Sequence, residues 1–302
     1  CLVGGIVFVF SASYPLAGQP DASGLAGNPY TCLLEHSKHV VVGIMAMLIV
    51  SYLRPRTIRL WSAPVFVVTL GLVAMTFASP WGVCVKGAAR WLDLPGLPPF
   101  QPSELAKVAF IAFVASTLAS KDERSESSQR AYLEVLVATG VVALLLLIQP
   151  DQGMATIFVL IALSMLFLAG ASMAWLAPLA SGLAAGGLLL AYMVPYRWER
   201  ITAVLNPEGC IQGAGYHNMN MLISLSRGGF CGMGLGMSPD KWHWLPAPHT
   251  DSMFCVIDGE LGFIGAAMVL LAFGLLTYRA ARIAMTSRNT FAWYMTLGVA
   301  AA

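Results

Sequence analysis

The chain has 302 residues, 58% of them hydrophobic and 11% charged, where a soluble protein carries about 25% charged residues. Seventeen Lys and Arg against fifteen Asp and Glu leave a net charge of +2, so there is no global basic field and no nucleic-acid partner is expected. High apolar content excludes disorder, and six cysteines exclude a disulfide miniprotein; the composition is that of an integral membrane protein.

The chain starts at Cys1 inside the apolar run Cys1 to Phe10 and ends at Ala302 inside the stretch Phe291 to Ala302. Both ends read as cuts, N- and C-terminal, in a longer chain, so no signal peptide is read. A bilayer core of ~30 Å needs about 20 helical residues. Apolar runs of about that length lie near 1–17, 36–53, 61–79, 101–120, 132–148, 154–170, 175–195 and 252–277, with a further one starting near 291. The fold class expected is an all-α integral membrane protein: a polytopic helical bundle of about eight complete spans plus a partial ninth. The runs are continuous rather than alternating, and stretches such as Val141 to Ile148 favour helix over a β-barrel.

Orientation follows from basic residues. The short connections 54–60, 121–131 and 278–290 hold Arg54, Arg56, Arg59, Lys121, Arg124, Arg130, Arg279, Arg282 and Arg288. The much longer connections on the other side hold only Lys86, Arg90, Arg197, Arg200, Arg227 and Lys241. The short basic connections are therefore cytoplasmic, which puts segment 196–251 outside. Loops longer than about 12–15 residues are uncommon and usually functional. This one carries Arg197, Arg200, Arg227, Lys241, three of the five histidines, and glycines at 213/215, 228/229 and 232/234/236. Within it, Tyr216 to Leu225 suits a short re-entrant or interfacial helix. There is no convincing internal repeat, which weakens an inverted-repeat transporter.

Asp251 follows the run Trp242 to Thr250, where the long loop enters an apolar helix. A carboxylate there is partly desolvated, which moves it toward the range of a general base; an N-cap at Thr250 or Asp251 is the plain alternative. Glu104 and Lys107, in Gln101-Pro102-Ser103-Glu104-Leu105-Ala106-Lys107, share a helix face at i, i+3. Pro102 suits a first turn, with Gln101 as a cap. A mid-bilayer charge costs roughly 2.5–3.5 kcal/mol, so such groups pair or line a cavity. The two readings are a self-contained ion pair and a Lys107 ammonium that holds a phosphate. Asp258 and Glu260 fall in the first turns of the eighth span; Glu260, nine residues past Asp251, faces roughly the opposite way. Gln149-Pro150-Asp151-Gln152-Gly153 reads as a tight outer turn. Arg197, Arg200 and Arg90 beside Trp91 stand at helix mouths, either as pyrophosphate clamps or as snorkelling anchors.

No metal site is signalled: His36, His39, His217, His243 and His249 form neither HExxH nor a Cys/His pair of zinc spacing. The glycine clusters match no Walker or dinucleotide pattern. Cys32, Cys84, Cys210 and Cys231 are expected outside, where four cysteines allow three pairings or remain free.

Together these segments resemble the SEDS family of bacterial cell-wall glycosyltransferases, which includes FtsW, RodA and SpoVE. The matching pieces run in order: Ser11-Ala12-Ser13, Gly87 to Trp91, Phe100 to Lys107 (FQPSELAK), Gln149-Pro150-Asp151, Arg200 to Pro207 (RITAVLNP), and Gly215-Tyr216-His217. Arg227-Gly228-Gly229, Gly234-Leu235-Gly236, Leu245 to Asp251 and Gly259 to Gly262 complete the set. GLG-x-S-x-x-K at 234–241 is closest to the septal FtsW branch. Where the family usually has Glu before the HTD segment this chain has Ala247, and Ser252 follows the Asp in place of Phe.

The resemblance implies a single membrane domain over 1–302, out of ten family spans, with the active site in loop 196–251. It implies polymerisation of lipid II, a disaccharide-pentapeptide on undecaprenyl diphosphate, on the outer face of the bacterial cytoplasmic (inner) membrane. Asp251 is the implied catalytic base for inverting glycosyl transfer. Lys107, Glu104, Arg90, Trp91, Arg197, Arg200, Lys241 and His249 are the substrate-binding candidates, basic members offsetting the leaving diphosphate. The implied partner is a class B penicillin-binding protein transpeptidase, with other divisome or elongasome membrane proteins. No cofactor is fixed by the resemblance, and a divalent cation, Mg2+ or Mn2+, on the diphosphate is compatible without a dedicated protein site. The competing readings are a flippase for lipid II, which needs the same cavity but no base, and a non-catalytic divisome scaffold.

Overall fold

The computed structural model describes residues 2–14, 30–85, 88–95, 98–124, 128–205, 214–243, 245 and 252–302. In chain order the elements are α1 (Leu2–Ser13), α2 (Thr31–Tyr52), α3 (Pro55–Ala78), β1 (Gly82–Val85), β2 (Ala88–Leu92), α4 (Pro102–Arg124), α5 (Ser128–Ile148) and α6 (Gln152–Leu168). Then follow α7 (Met173–Met193), α8 (Pro195–Leu205), α9 (Ala214–Gly228), α10 (Asp240–His243), α11 (Met253–Thr286) and α12 (Thr290–Ala301). Local chemistry sets several ends. Pro55 opens α3 after an extended Arg54, where a missing N–H goes unnoticed. Asp151 and Asn289 cap α6 and α12 through side chains that accept from the Met154 and Ala292 amides.

Among the described residues six helices are long and apolar enough to cross a membrane: α2, α3, α4, α5, α7 and α11. α1 and α6 are apolar but shorter. The chain is thus a helical, multi-pass membrane protein. Two connections hold more structure than expected. Segment 196–251 contains most of α8 and all of α9 and α10, and the helix expected at Tyr216–Leu225 lies inside α9. Segment 80–100 contains an antiparallel hairpin, with Val83 opposite Trp91 and Gly82 opposite Leu92. α4 and α11 also run on into the basic connections, so that Arg279 and Arg282 sit on the last turns of α11, placing long cationic side chains where a helix leaves the bilayer.

The described residues form two compact units, residues 1–52 with 184–276 and residues 53–183 with 277–302. In the second, α3, α4, α5, α6 and α12 enclose one apolar core. Phe110 is its hinge of packing, 5.8 Å from the Phe66 ring and 5.2 Å from that of Phe158. Gly298 lets α12 approach, since a Cβ there would stand 2.6 Å from Ile111 Cγ2. In the first unit a smaller cluster joins Ala12, Leu245, Cys255 and Val256, with Met221, Leu225 and Met253 packed on it.

Candidate functional site

The first unit holds the segment around Asp251. Arg227, in the last turn of α9, pairs with Asp240 at the start of α10. Between them runs a glycine-rich stretch with Gly229, Gly232, Gly234 and Gly236 all at positive φ. This stretch is spliced into α11. Gly262 has φ 70° and ψ −171° and breaks the helix. In an unbroken α-helix the Gly259 and Glu260 carbonyls would accept from the Phe263 and Ile264 amides. Here those carbonyls accept from the amides of Met233 (3.0 Å) and Gly234 (2.9 Å). The Phe263 and Ile264 amides donate to the carbonyls of Gly229 (2.9 Å) and Phe230 (3.3 Å). Four helix groups thus exchange partners with a loop, which meets the requirement that backbone groups at membrane depth stay satisfied. The approach needs glycine on both sides: a Cβ on Gly232 would overlap the Glu260 carbonyl, and one on Gly262 the Gly232 nitrogen.

Lys241 of α10 and Glu260 of α11 make a buried ion pair at 2.9 Å, with side chains 4% and 0% exposed. Ser11 of α1 joins them, its hydroxyl donating to Glu260 Oε1 at 2.5 Å and accepting from Lys241 Nζ at 2.9 Å. Both flanks of segment 246–251 are anchored in the cluster around Ala12: Leu245 on one side, Cys255 and Val256 on the other. Asp251 and His249 themselves lie outside the described residues, as does the side chain of Arg197. Arg200 is exposed on α8, the helix whose Trp198 meets the Tyr192 ring edge to face at 5.3 Å.

The second unit holds the other candidates. Leu92 exchanges backbone hydrogen bonds with Phe100 (2.9 and 3.1 Å), and this tie leads the hairpin into α4. Arg90 donates to the Pro150 carbonyl at 2.6 Å and lies 3.7 Å from the Asp151 carboxylate. Asp151 also accepts from Gln101 at 3.4 Å, so one buried carboxylate gathers the hairpin, the start of α4 and the start of α6. Its neighbour Gln149 donates to the Val73 carbonyl at 2.9 Å and to Thr76 Oγ1. Trp91 stays exposed. Glu104 and Lys107 form the expected i, i+3 pair at 2.8 Å, with side chains 54% and 21% exposed. Lys107 therefore keeps donors for another anion.

The structure brings Arg90 to Asp151 and Lys107 to Glu104 in the second unit, and Lys241 to Glu260 in the first. Sequence reasoning missed the Lys241–Glu260 bond and the glycine splice. A signal existed for each: an acidic residue inside an apolar span requires a partner, and an internal glycine in such a span marks a break or close approach. Cys84 and Cys231 are free thiols.

Comparison with known proteins then adds ancestry. The profile of the FtsW, RodA and SpoVE family, described as "Cell cycle protein", matches residues 1–302. The "Probable peptidoglycan glycosyltransferase FtsW" of Geobacter sp. (strain M18) is 33% identical over 298 residues, spanning 98% of this chain and 79% of its own. The protein of that name from Trichlorobacter lovleyi is 35% identical over 298 residues, spanning 98% and 76%. A solved chain of a peptidoglycan synthase complex, described as coordinating polymerization and crosslinking, superposes with TM-score 0.70 at 25% identity, over 99% of this chain and 82% of that one. The Thermus thermophilus rod shape determining protein RodA shares the fold, with TM-score 0.62 at 21% identity over 99% and 79%.

Proposed function

Since this chain belongs to the FtsW, RodA and SpoVE family of cell cycle proteins, we propose that it is a peptidoglycan glycosyltransferase that polymerises glycan strands from lipid II. The observation that carries the reading is the anchoring of both flanks of segment 246–251 in one buried cluster, around the one stretch where family resemblance puts a catalytic carboxylate. Asp251 takes the proton from the 4-hydroxyl of the acceptor GlcNAc. That oxygen attacks the MurNAc anomeric carbon of the donor, and the bond from this carbon to the diphosphate breaks with inversion. Undecaprenyl diphosphate leaves, and cationic side chains stabilise its charge. Lys107, with open donors, is the first of these; Arg90, Arg197 and Arg200 are the others, while Trp91, Glu104 and His249 shape substrate binding.

Counting α1 and α6 as spans beside the six longer helices gives eight, and α12 begins a ninth. Three spans, α5, α6 and α7, separate the basic connection 121–131 from the loop carrying Asp251, and with that connection cytoplasmic this odd number favours the outer face of the cytoplasmic membrane for the loop. The solved relative from a complex that couples polymerization to crosslinking supports a class B penicillin-binding protein as partner. A divalent cation, Mg2+ or Mn2+, on the diphosphate is compatible with this chemistry without a dedicated protein site. The test is incubation of the protein and its transpeptidase partner with fluorescent lipid II. Glycan ladders are expected. Unpolymerised lipid II moved across the membrane would instead mark a flippase and sink the proposal.

A further inference from the structure

The proposed transfer leaves Lys241 and Glu260 without a role, although they form a fully buried ion pair. Two acceptors, Glu260 Oε1 and Ser11 Oγ, already occupy the Lys241 ammonium, and its burial sets it apart from the half-open Lys107. Its place in the chain is informative. The paired residues are 19 positions apart, and Asp251 stands ten residues after Lys241 and nine before Glu260. The bond therefore closes a ring with the proposed base midway.

The two arms of that ring need such a closure. The leading arm includes α10, a single four-residue turn, far too short to persist alone. It is fastened by Arg227 to Asp240, by the Leu245 amide donating to the Asp240 carbonyl at 3.0 Å, and by Lys241. The trailing arm begins at buried Ser252, whose carbonyl accepts from Cys255 and Val256 at 3.0 and 3.2 Å. It ends at Glu260, whose main-chain carbonyl is held by Gly234 at 2.9 Å. Glue of an apolar kind would tolerate sliding. An ammonium seated between a carboxylate and a hydroxyl defines one separation.

We propose that Lys241 and Glu260 are positioning residues, a clasp that fixes the distance between the two arms and thereby sets where the Asp251 carboxylate stands against the acceptor hydroxyl. The proposal rests on the reading of Asp251 as the base. Replacing a buried ion pair by neutral groups of like volume is often harmless to stability, whereas displacing a reacting group by 1 Å costs on the order of 10²-fold in rate. Fold and rate therefore separate in one experiment.

That experiment compares wild type, the double variant Lys241→Met with Glu260→Gln, Ser11→Ala and Asp251→Asn, in nanodiscs with the transpeptidase partner. Initial rates are measured against lipid II concentration, and thermal unfolding checks the fold. The double variant is expected to melt close to wild type with kcat lowered about 10²-fold and KM within roughly threefold. A folded double variant with wild-type kcat overturns the clasp, and so does a loss confined to KM, which would make Lys241 a substrate contact. If the double variant does not fold, Ser11→Ala carries the test: a several-fold loss of kcat at constant KM is expected, and a wild-type rate overturns the clasp. An active Asp251→Asn sinks the base itself, whereas an inactive Asp251→Asn beside fully active clasp variants sinks only the clasp.

Discussion

Replacing Gly262 by Ala tests the splice between the glycine stretch and α11. At φ 70° and ψ −171° the backbone occupies a region that is essentially glycine-only, and forcing another residue there costs about 1–3 kcal/mol. The added Cβ would also meet the Gly232 nitrogen and the Phe230 carbonyl. Both are backbone atoms that cannot swing aside, so the splice must open. Four hydrogen bonds are at risk, each worth about 1 kcal/mol net and more where no water replaces them. With strain and half or more of these bonds counted, the expected loss is about 3–7 kcal/mol. Thermal unfolding in detergent, followed by fluorescence size-exclusion, measures it. Gly274→Ala in the same helix is the control: a Cβ there meets nothing within 4 Å, and the change should be neutral or stabilise by about 0.5–1 kcal/mol. If Gly262→Ala is as stable as Gly274→Ala, the break does not depend on glycine and the reasoning fails.

Asp151→Ala should destabilise by about 1–3 kcal/mol in the same assay, because it removes the α6 cap and strips Arg90 and Gln101 of their shared carboxylate; an unchanged melting point would deny that this residue ties the hairpin to α4 and α6. Gly298→Ala should cost about 1–3 kcal/mol by overpacking, since its Cβ would press on Ile111 and Met165; a neutral result would show that α12 can back away. Lys107→Met should lower the polymerisation kcat about 10²-fold, because the ammonium offsets charge that develops on the leaving diphosphate; polymerisation kinetics decide it, and an unchanged kcat would reduce Lys107 to a structural partner of Glu104.

Helix existence was readable in the sequence because apolar runs of membrane length admit few other structures, as α3 and α5 illustrate. Helix ends were less readable. α4 and α11 extend past their apolar stretches, since long cationic side chains can follow a helix out of the bilayer without ending it. The Glu104–Lys107 pair was legible because i, i+3 spacing is a local property. Lys241–Glu260 was not, because nothing in local spacing relates a four-residue helix to a span beyond an intervening loop. The same holds for Gln149 and Asp151: their segment has the composition of a turn, and only the packed structure shows that it grips α3 and the hairpin. Gly262 sat in view as a glycine within an apolar span, but the loop that repairs the broken helix belongs to a part of the chain 30 residues earlier.

Formation of glycan ladders from fluorescent lipid II by wild-type protein and by Asp251→Ala, each with the transpeptidase partner and at matched amounts of folded protein, tests the central claim most directly. Ladders from the wild type that vanish in Asp251→Ala are the result this account predicts. Ladders that persist at wild-type rate in Asp251→Ala would contradict it.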